Sequence, residues 1–293
     1  MAKDMSNTDS SHVVVDSAPS QEPANAVQDD MQKALEGDTV TLVTICPLYR
    51  NHMDPAVFRK GITLAKARGI PVFVDDAGGA RYRVAVLSEA KALDLGADAV
   101  MTSTDKEGLD GPRAAIIRGR KDFIDTISMK AAELGTEARP SIMAAIVRAL
   151  RDFSFSEYRR LTKEYNNRAS QIAVEITQYL GESVQYGTHG GDIAIDSESF
   201  IEAMMNKAGV DQTNLRPIDV SVVHAMIMLE DFGFMTVASV GKPGSTLDFR
   251  VRLNLPDAAR ISDQEVSTGI INSCERVQAL IPHTDAIRKH LFG

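Results

Sequence analysis

Between residues 39 and 102 the chain alternates short β-branched runs with helix-compatible segments, and each run stops on polar side chains. TVTLVTI (residues 39–45) is followed by a segment that opens on Asp54-Pro55 and closes on Arg68-Gly69; residues 70–74 and 97–102 are two further apolar runs. Asp54 is a helix N-cap, and Pro55 at the first helical position forfeits no hydrogen bond there. Strand–helix–strand with short connections makes a right-handed parallel crossover. Parallel strands buried on both faces read as continuous apolar runs. This pattern restricts the first half of the chain to an open α/β sheet, in which ligands sit at the carboxyl ends of the strands.

The remaining elements are read in the same way. Residues 1–28 are rich in Ser, Asp, Asn and Pro and read as an irregular arm, with 12–15 the one stretch fit for a strand. Residues 29–36 read as a short helix ended by Gly37, and 89–95 as a helix capped by Ser88. Residues 114–118 read as a strand and 122–128 as the start of a helix. Segments 140–153 and 156–180 carry apolar residues at helical spacing. Further on, 181–195 reads as strand and loop, 200–207 as a helix, and 218–229, 234–240 and 246–253 as strands. Residues 262–281 form a closing helix with Ser262 and Glu265 as a capping box. The expected organisation is the arm, a mainly parallel α/β domain over 29–154, and a smaller α+β domain over 155–293.

Charge and cysteine content narrow the function classes. A net charge of −8 and a pI near 5.3 argue against a broad nucleic-acid or anionic-membrane surface. Two distant cysteines, Cys46 and Cys274, lack zinc-site spacing and suit a reducing compartment, so a cytoplasmic protein is expected. No apolar run approaches the roughly 20 residues needed to span a bilayer. The amino terminus has neither the basic start nor the apolar core of a secretory signal.

The chemistry gathers where two of the runs end. Val72-Phe73-Val74 stops on Asp75 and Asp76; residues 97–101 stop on Thr102, Ser103, Thr104, Asp105 and Lys106, followed by Gly108, Gly111 and Pro112. Hydroxyls and turn N–H groups at that position suit a phosphate. A desolvated lysine can form a Schiff base, and a carboxylate beneath a pyridine nitrogen keeps the ring protonated. These are the protein-side requirements of pyridoxal phosphate (PLP). The residues alone leave two alternatives open: Asp75, Asp76 and Asp105 as magnesium ligands, or a plain surface loop. A Walker A loop is absent, and AGGAR is not GxGxxG.

Three stretches taken together, PVFVDDAGGAR, LGADAVMTSTDKEGLDGPRAAIIRGRKDFID and GTEARPSIMAAIVRAL, resemble fold-type-I PLP enzymes, nearest to the selenocysteine synthase and D-glucosaminate-6-phosphate ammonia lyase group. The resemblance covers residues 30–155 well and the rest loosely. It implies that Lys106 holds PLP as a Schiff base, Asp75 rather than Asp76 faces the pyridinium nitrogen, Ala77 packs on the ring and Ser103 contacts the phosphate. The implied activity is a PLP-dependent lyase or transferase acting on an amino acid by β-elimination or replacement. Aminotransferase, racemase and a non-catalytic or split-gene subunit are the alternatives. Two departures stand out. Gly78 occupies a position where many relatives carry a His or Tyr, and roughly a hundred residues that relatives place upstream have no counterpart here. A homodimer or larger homo-oligomer, or a complementary chain, is therefore expected to complete the site. Transfer-RNA chemistry fits poorly with the net charge of −8.

Outside these stretches, Arg250 and Arg252 alternate on one strand face, and Arg252 is a candidate clamp for a substrate carboxylate. Arg139, just before a helix, is a candidate pocket residue. His189 lies in a Gly-rich loop and reads as exposed. His224 lies among Val and Met and reads as a core histidine, and the methionines at 204, 205, 226, 228 and 235 read as packing.

Overall fold

The computed structural model describes residues 11–16, 32, 33, 35, 40–48, 52–181, 186, 187, 189–238 and 248–292. The chain divides into two compact units, residues 2–159 and 160–293.

The first unit is built on a sheet with strands in sequence order: β1 (Ser11–Asp16), β2 (Val40–Cys46), β3 (Val72–Asp75), β4 (Ala99–Ser103) and β5 (Ala115–Gly119). The first four run parallel, and β5 returns antiparallel to β4. Helix α1 (Pro55–Ala67) makes the crossover from β2 to β3. Asp54 caps it as its sequence predicts, its Oδ1 accepting from the N–H groups of Ala56 at 2.7 Å and Val57 at 3.3 Å. Phe58, Ile62 and Ala65 of α1 pack on Val43, Ile45, Val72 and Val74 in one buried core. That core holds β3 and fixes where its carboxyl end emerges.

Beyond β4 and β5 come α2 (Lys121–Leu134), α3 (Pro140–Asp152, with Pro at the start) and α4 (Phe155–Leu180). Two sequence expectations need correction in this unit. Ser11–Asp16, within the expected irregular arm, pairs with β2 as a strand. The helix expected over 89–95 is only a 3₁₀ turn at Leu93–Leu95. Ser88 has φ +61°, a left-handed conformation unlike the extended backbone of a helix N-cap. The helical segment lies earlier instead, where Gly79–Arg81 runs into a π-helical turn at Tyr82–Val86. The helix expected over 29–36 falls largely outside the described residues.

The second unit has an antiparallel sheet in the order β6 (Tyr186–Gly187), β7 (Asp192–Asp196), β9 (Asp248–Arg252), β8 (Val237–Ala238). Its helices are α4 from Arg160 onward, α5 (Ser197–Ala208), α6 (Pro217–Phe232), α7 (Asp263–Leu280) and α8 (Thr284–Phe292). Phe200, Met204, Val223, Ile227, Phe249 and Ile270 meet in its core. Helix α6 corrects the strand expected over 218–229. Its start signals are local: Pro217 in the first turn, and Asp219 accepting from the Arg216 N–H at 3.2 Å. Gly233, at φ +68°, ends it in the left-handed conformation. At α7 the Ser262–Glu265 capping box forms as expected, with the Ser262 N–H bonded to Glu265 Oε2 at 2.8 Å. No described helix is long and apolar enough to cross a membrane.

Candidate functional site

Asp75 is the last residue of β3 and lies opposite Met101 of β4. The chain then turns across the end of β4. The Asp76 N–H donates to Met101 O at 3.0 Å, and the Ala77 carbonyl accepts from Ser103 N–H at 2.9 Å and from the Thr102 hydroxyl at 3.1 Å. Asp75, Ala77 and Ser103, three residues singled out from the sequence, are thus brought to one edge of the sheet.

Lys106 lies in the closed turn that follows. Thr104 ties the turn's two ends together. Its hydroxyl donates to Pro112 O at 2.5 Å and Ala114 O at 3.1 Å, its N–H bonds Ala114 O at 3.0 Å, and its carbonyl accepts from Gly111 N–H at 2.8 Å. Glu107 and Gly108, at φ +49° and +73°, reverse the chain directly after Lys106. Gly108 passes so close over the Tyr158 ring that a Cβ there would overlap it, and the Tyr158 hydroxyl donates to Glu107 Oε2 at 3.0 Å. The Lys106 side chain is exposed.

Two arginines that the sequence reading did not single out organise this edge. Arg81, only 6% exposed, spreads its guanidinium over the Lys106 turn. Nε donates to Glu107 O at 3.0 Å, Nη1 to Thr102 Oγ1 at 2.9 Å, and Nη2 to both Ser103 O at 2.9 Å and Lys106 O at 2.5 Å. Burial lowers the pKa of Arg81 from its ordinary value, opposed by the fields of Tyr158 and Glu107. Arg83 turns inward and grips Asp76, with Nη2 to Oδ2 at 2.6 Å and Nε to Oδ1 at 3.2 Å. Its Nη1 reaches Glu89 at 2.7 Å, its guanidinium lies over the Phe58 ring, and Glu89 pairs in turn with His52. Burial pulls the Asp76 carboxyl above its usual range, and the bonds and charge of Arg83 pull it back. Burial works against the charge on Arg83, but Asp76 and Glu89 outweigh it and hold the guanidinium more firmly protonated. One signal for this pair was present in the sequence: two arginines in the otherwise small and apolar AGGARYRVAV, close behind two carboxylates.

The Asp-Asp pair is therefore divided. Both oxygens of Asp76 are occupied by Arg83. Asp75 Oδ1 is shielded from solvent and has no hydrogen-bond partner among the described residues. A buried carboxylate oxygen without a donor is costly, so such an atom marks a place where a donor from outside the chain belongs. A protonated pyridine nitrogen is such a donor, and in this respect the residues present fit PLP. They fit magnesium less well, because Asp76 is already paired. Among the described residues no group of three His, Cys, Asp or Glu stands close enough to hold a metal ion.

Arg139 is exposed and pairs with Glu137 at 3.1 Å. In the second unit Arg252 Nε donates to Asp192 Oδ1 at 3.2 Å, and Arg250 lies 4.0 Å from the same carboxylate. His189 opens the short turn His189–Gly191. His224 is a core residue, with its ring stacked at 4.8 Å on Phe200 and Nε2 bonded to Ser273 Oγ at 2.6 Å. Met204 and Met228 are buried, whereas Met235 is exposed.

Comparison with known proteins finds relatives described as PLP-dependent. No family model matches the chain. It is 34% identical over 232 residues to a UPF0425 pyridoxal phosphate-dependent protein of Methanothermobacter thermautotrophicus, covering 79% of this chain and 57% of that protein. It is 32% identical over 248 residues to a protein of the same description from Methanococcus maripaludis, covering 84% and 62%. The chain thus spans little more than half the length of these curated relatives. Among solved structures it is similar to a PLP-bound putative aminotransferase from Clostridium difficile 630, with a TM-score of 0.61, 8% identity, and 92% and 73% of the two chains covered. It is also similar to SepCysS in complex with the SepCysE N-terminal domain, with a TM-score of 0.58, 13% identity, and 92% and 76% covered. These structural likenesses establish a PLP-transferase-like fold.

Proposed function

We propose that this chain binds PLP at the carboxyl ends of β3 and β4 and acts as a PLP-dependent enzyme on an amino-acid substrate. The observation that carries the reading is Oδ1 of Asp75, shielded from solvent and without a hydrogen-bond partner among the described residues, at the same sheet edge as the Lys106 turn. The relatives named as PLP-dependent proteins support it independently.

Each residue of the edge then has a task. Asp75 accepts the pyridinium N–H and holds that proton in place. Ala77 packs on the ring, and Ser103 donates to the phosphate. Lys106 holds the cofactor by a Schiff base through Nζ. Its Nζ amine, when not bound to the cofactor, would take the proton from the substrate Cα. The bound ring supplies an electron sink for the charge left on that carbon. Arg139 and Arg252 are the proposed carboxylate clamps. Each already has a carboxylate partner, Glu137 or Asp192, which a substrate carboxylate would replace. Within this reading we favour lyase or transferase chemistry by β-elimination or replacement, with aminotransferase or racemase activity as the alternative. Kinship with the selenocysteine synthase and D-glucosaminate-6-phosphate ammonia lyase group rests on the three stretches that suggested it.

A second copy of the chain or a complementary chain is proposed to contribute to the site. Two buried free cysteines favour a cytoplasmic setting. The test is to add PLP to the purified chain, alone and co-expressed with candidate partners, and to look for Schiff-base colour that Lys106→Ala abolishes. Colour retained in Lys106→Ala contradicts the reading. With a coloured preparation in hand, a screen of β-substituted and phosphorylated amino acids separates the reaction classes.

A further inference from the structure

We propose that Arg81 is the positioning residue of the Lys106 segment: its buried guanidinium fixes the backbone from which Lys106 reaches the cofactor. The inference rests on the reading of Lys106 as the Schiff-base lysine. Four acceptors converge on Arg81: the carbonyls of Ser103, Lys106 and Glu107, and the Thr102 hydroxyl. Two of these belong to the end of β4 and two to the turn, so the guanidinium spans the exact gap that separates the proposed phosphate contact from the proposed lysine. The Thr102 hydroxyl passes the link on to Ala77, beside Asp75, through its bond to Ala77 O at 3.1 Å.

The chemistry of the turn requires such a cross-brace. Glu107 adopts φ +49°, a conformation that non-glycine residues rarely take and that must be imposed from outside. Carbonyls turned inward by this reversal need donors, and among the described residues the backbone offers Lys106 O the Leu109 N–H at 3.2 Å. A planar guanidinium offers several N–H groups in a fixed fork and so satisfies divergent carbonyls at once, which a lysine ammonium cannot do in one plane. On the other side of the turn, Tyr158 holds Glu107 and closes under Gly108. Arg81 touches neither substrate nor cofactor in this account; it acts through Lys106.

The test uses the full chain in two measurements. In the first, the rate of PLP capture on Lys106 is followed by borohydride reduction and peptide mapping. Arg81→Ala is expected to slow capture roughly 10–100-fold, the scale on which a small misplacement of a reacting group is felt. Guanidinium ion at low millimolar concentration should restore much of the rate to Arg81→Ala while leaving the wild type unchanged. A residue that merely stabilises the fold would show no such rescue. In the second measurement, without cofactor, amide exchange in Arg81→Ala should quicken over residues 103–109 and stay as in the wild type over β2. Arg81→Lys decides the matter if Arg81→Ala fails to fold: it keeps the charge but not the fork, and it should capture PLP at least tenfold more slowly. Capture on Lys106 at the wild-type rate in a folded Arg81 variant overturns the inference and leaves the Lys106 reading intact. A wild type that never takes the label on Lys106 overturns both.

Discussion

Arg83 Nη2 lies 2.6 Å from Asp76 Oδ2, and both side chains are almost wholly shielded from solvent. The pair explains why two adjacent carboxylates at one strand end have different fates. Asp76 is neutralised inside the fold, which leaves Asp75 as the carboxylate available to a ligand. Removing one partner of a buried ion pair leaves an uncompensated charge, a loss of about 3–5 kcal/mol. Arg83→Met should therefore lower stability by about that amount in urea unfolding. The double variant Asp76→Leu/Arg83→Met should recover much of it. Equal stability for Arg83→Met and the wild type would show that the pair contributes little.

The Lys106 turn depends on close backbone approach. A Cβ on Gly111 would stand 2.5 Å from the Thr104 carbonyl oxygen, a backbone atom that cannot give way without opening the turn. Gly111→Ala should cost about 1–3 kcal/mol, as overpacking does, and should weaken PLP capture at the same time. Gly135, at φ +65° with nothing near its missing Cβ, is the control. Gly135→Ala should cost about 1 kcal/mol of backbone strain with no effect on capture. Thermal melts and a cofactor titration on both variants check the contrast.

His224 gives the second unit a pH dependence. Burial lowers its pKa from 6.5 to about 3. The folded state thus keeps the ring neutral where the unfolded chain would protonate it. The sign follows: this contribution is fully present above pH 6.5 and is lost as the pH falls towards 3, by about 1.4 kcal/mol per unit. His224→Phe should flatten the stability profile of the chain between those pH values. A profile with the same slope in both proteins would assign the loss to other groups.

Much of the first unit was legible because parallel strands and their crossover helix leave local marks. Asp54-Pro55 capped α1 as read, and the runs that end at Asp75 and Ser103 became adjacent parallel strands. Helix α6 was misread because PIDVSVVHAMIM packs apolar residues on several sides and carries five β-branched residues, so its periodicity is weak; the cap residues Arg216 and Asp219 were the better guide. Arg81 and Arg83 were not legible as site residues. Two arginines close behind two carboxylates were the one local signal, and the carbonyls that Arg81 bonds lie up to 26 positions away. Asp75 was told from Asp76 by the family resemblance alone; the physical cause of the difference, Arg83 on both oxygens of Asp76, lies in the fold.

If Asp75 holds the ring proton, Asp75→Asn should still form the Schiff base on Lys106 yet lower turnover roughly 10²–10³-fold, the scale of a lost electrostatic contact in a transition state. Steady-state kinetics on the substrate found in the screen provides the measurement. A variant with colour and near-normal turnover would move the role to another group.

The most direct measurement is to locate the covalent label. The chain, alone and with a complementary partner, is incubated with PLP, reduced with borohydride, digested and mapped by mass spectrometry. The account predicts one dominant phosphopyridoxyl adduct, on Lys106, that is absent in Lys106→Ala. An adduct spread over surface lysines, or one centred on another lysine, would contradict it.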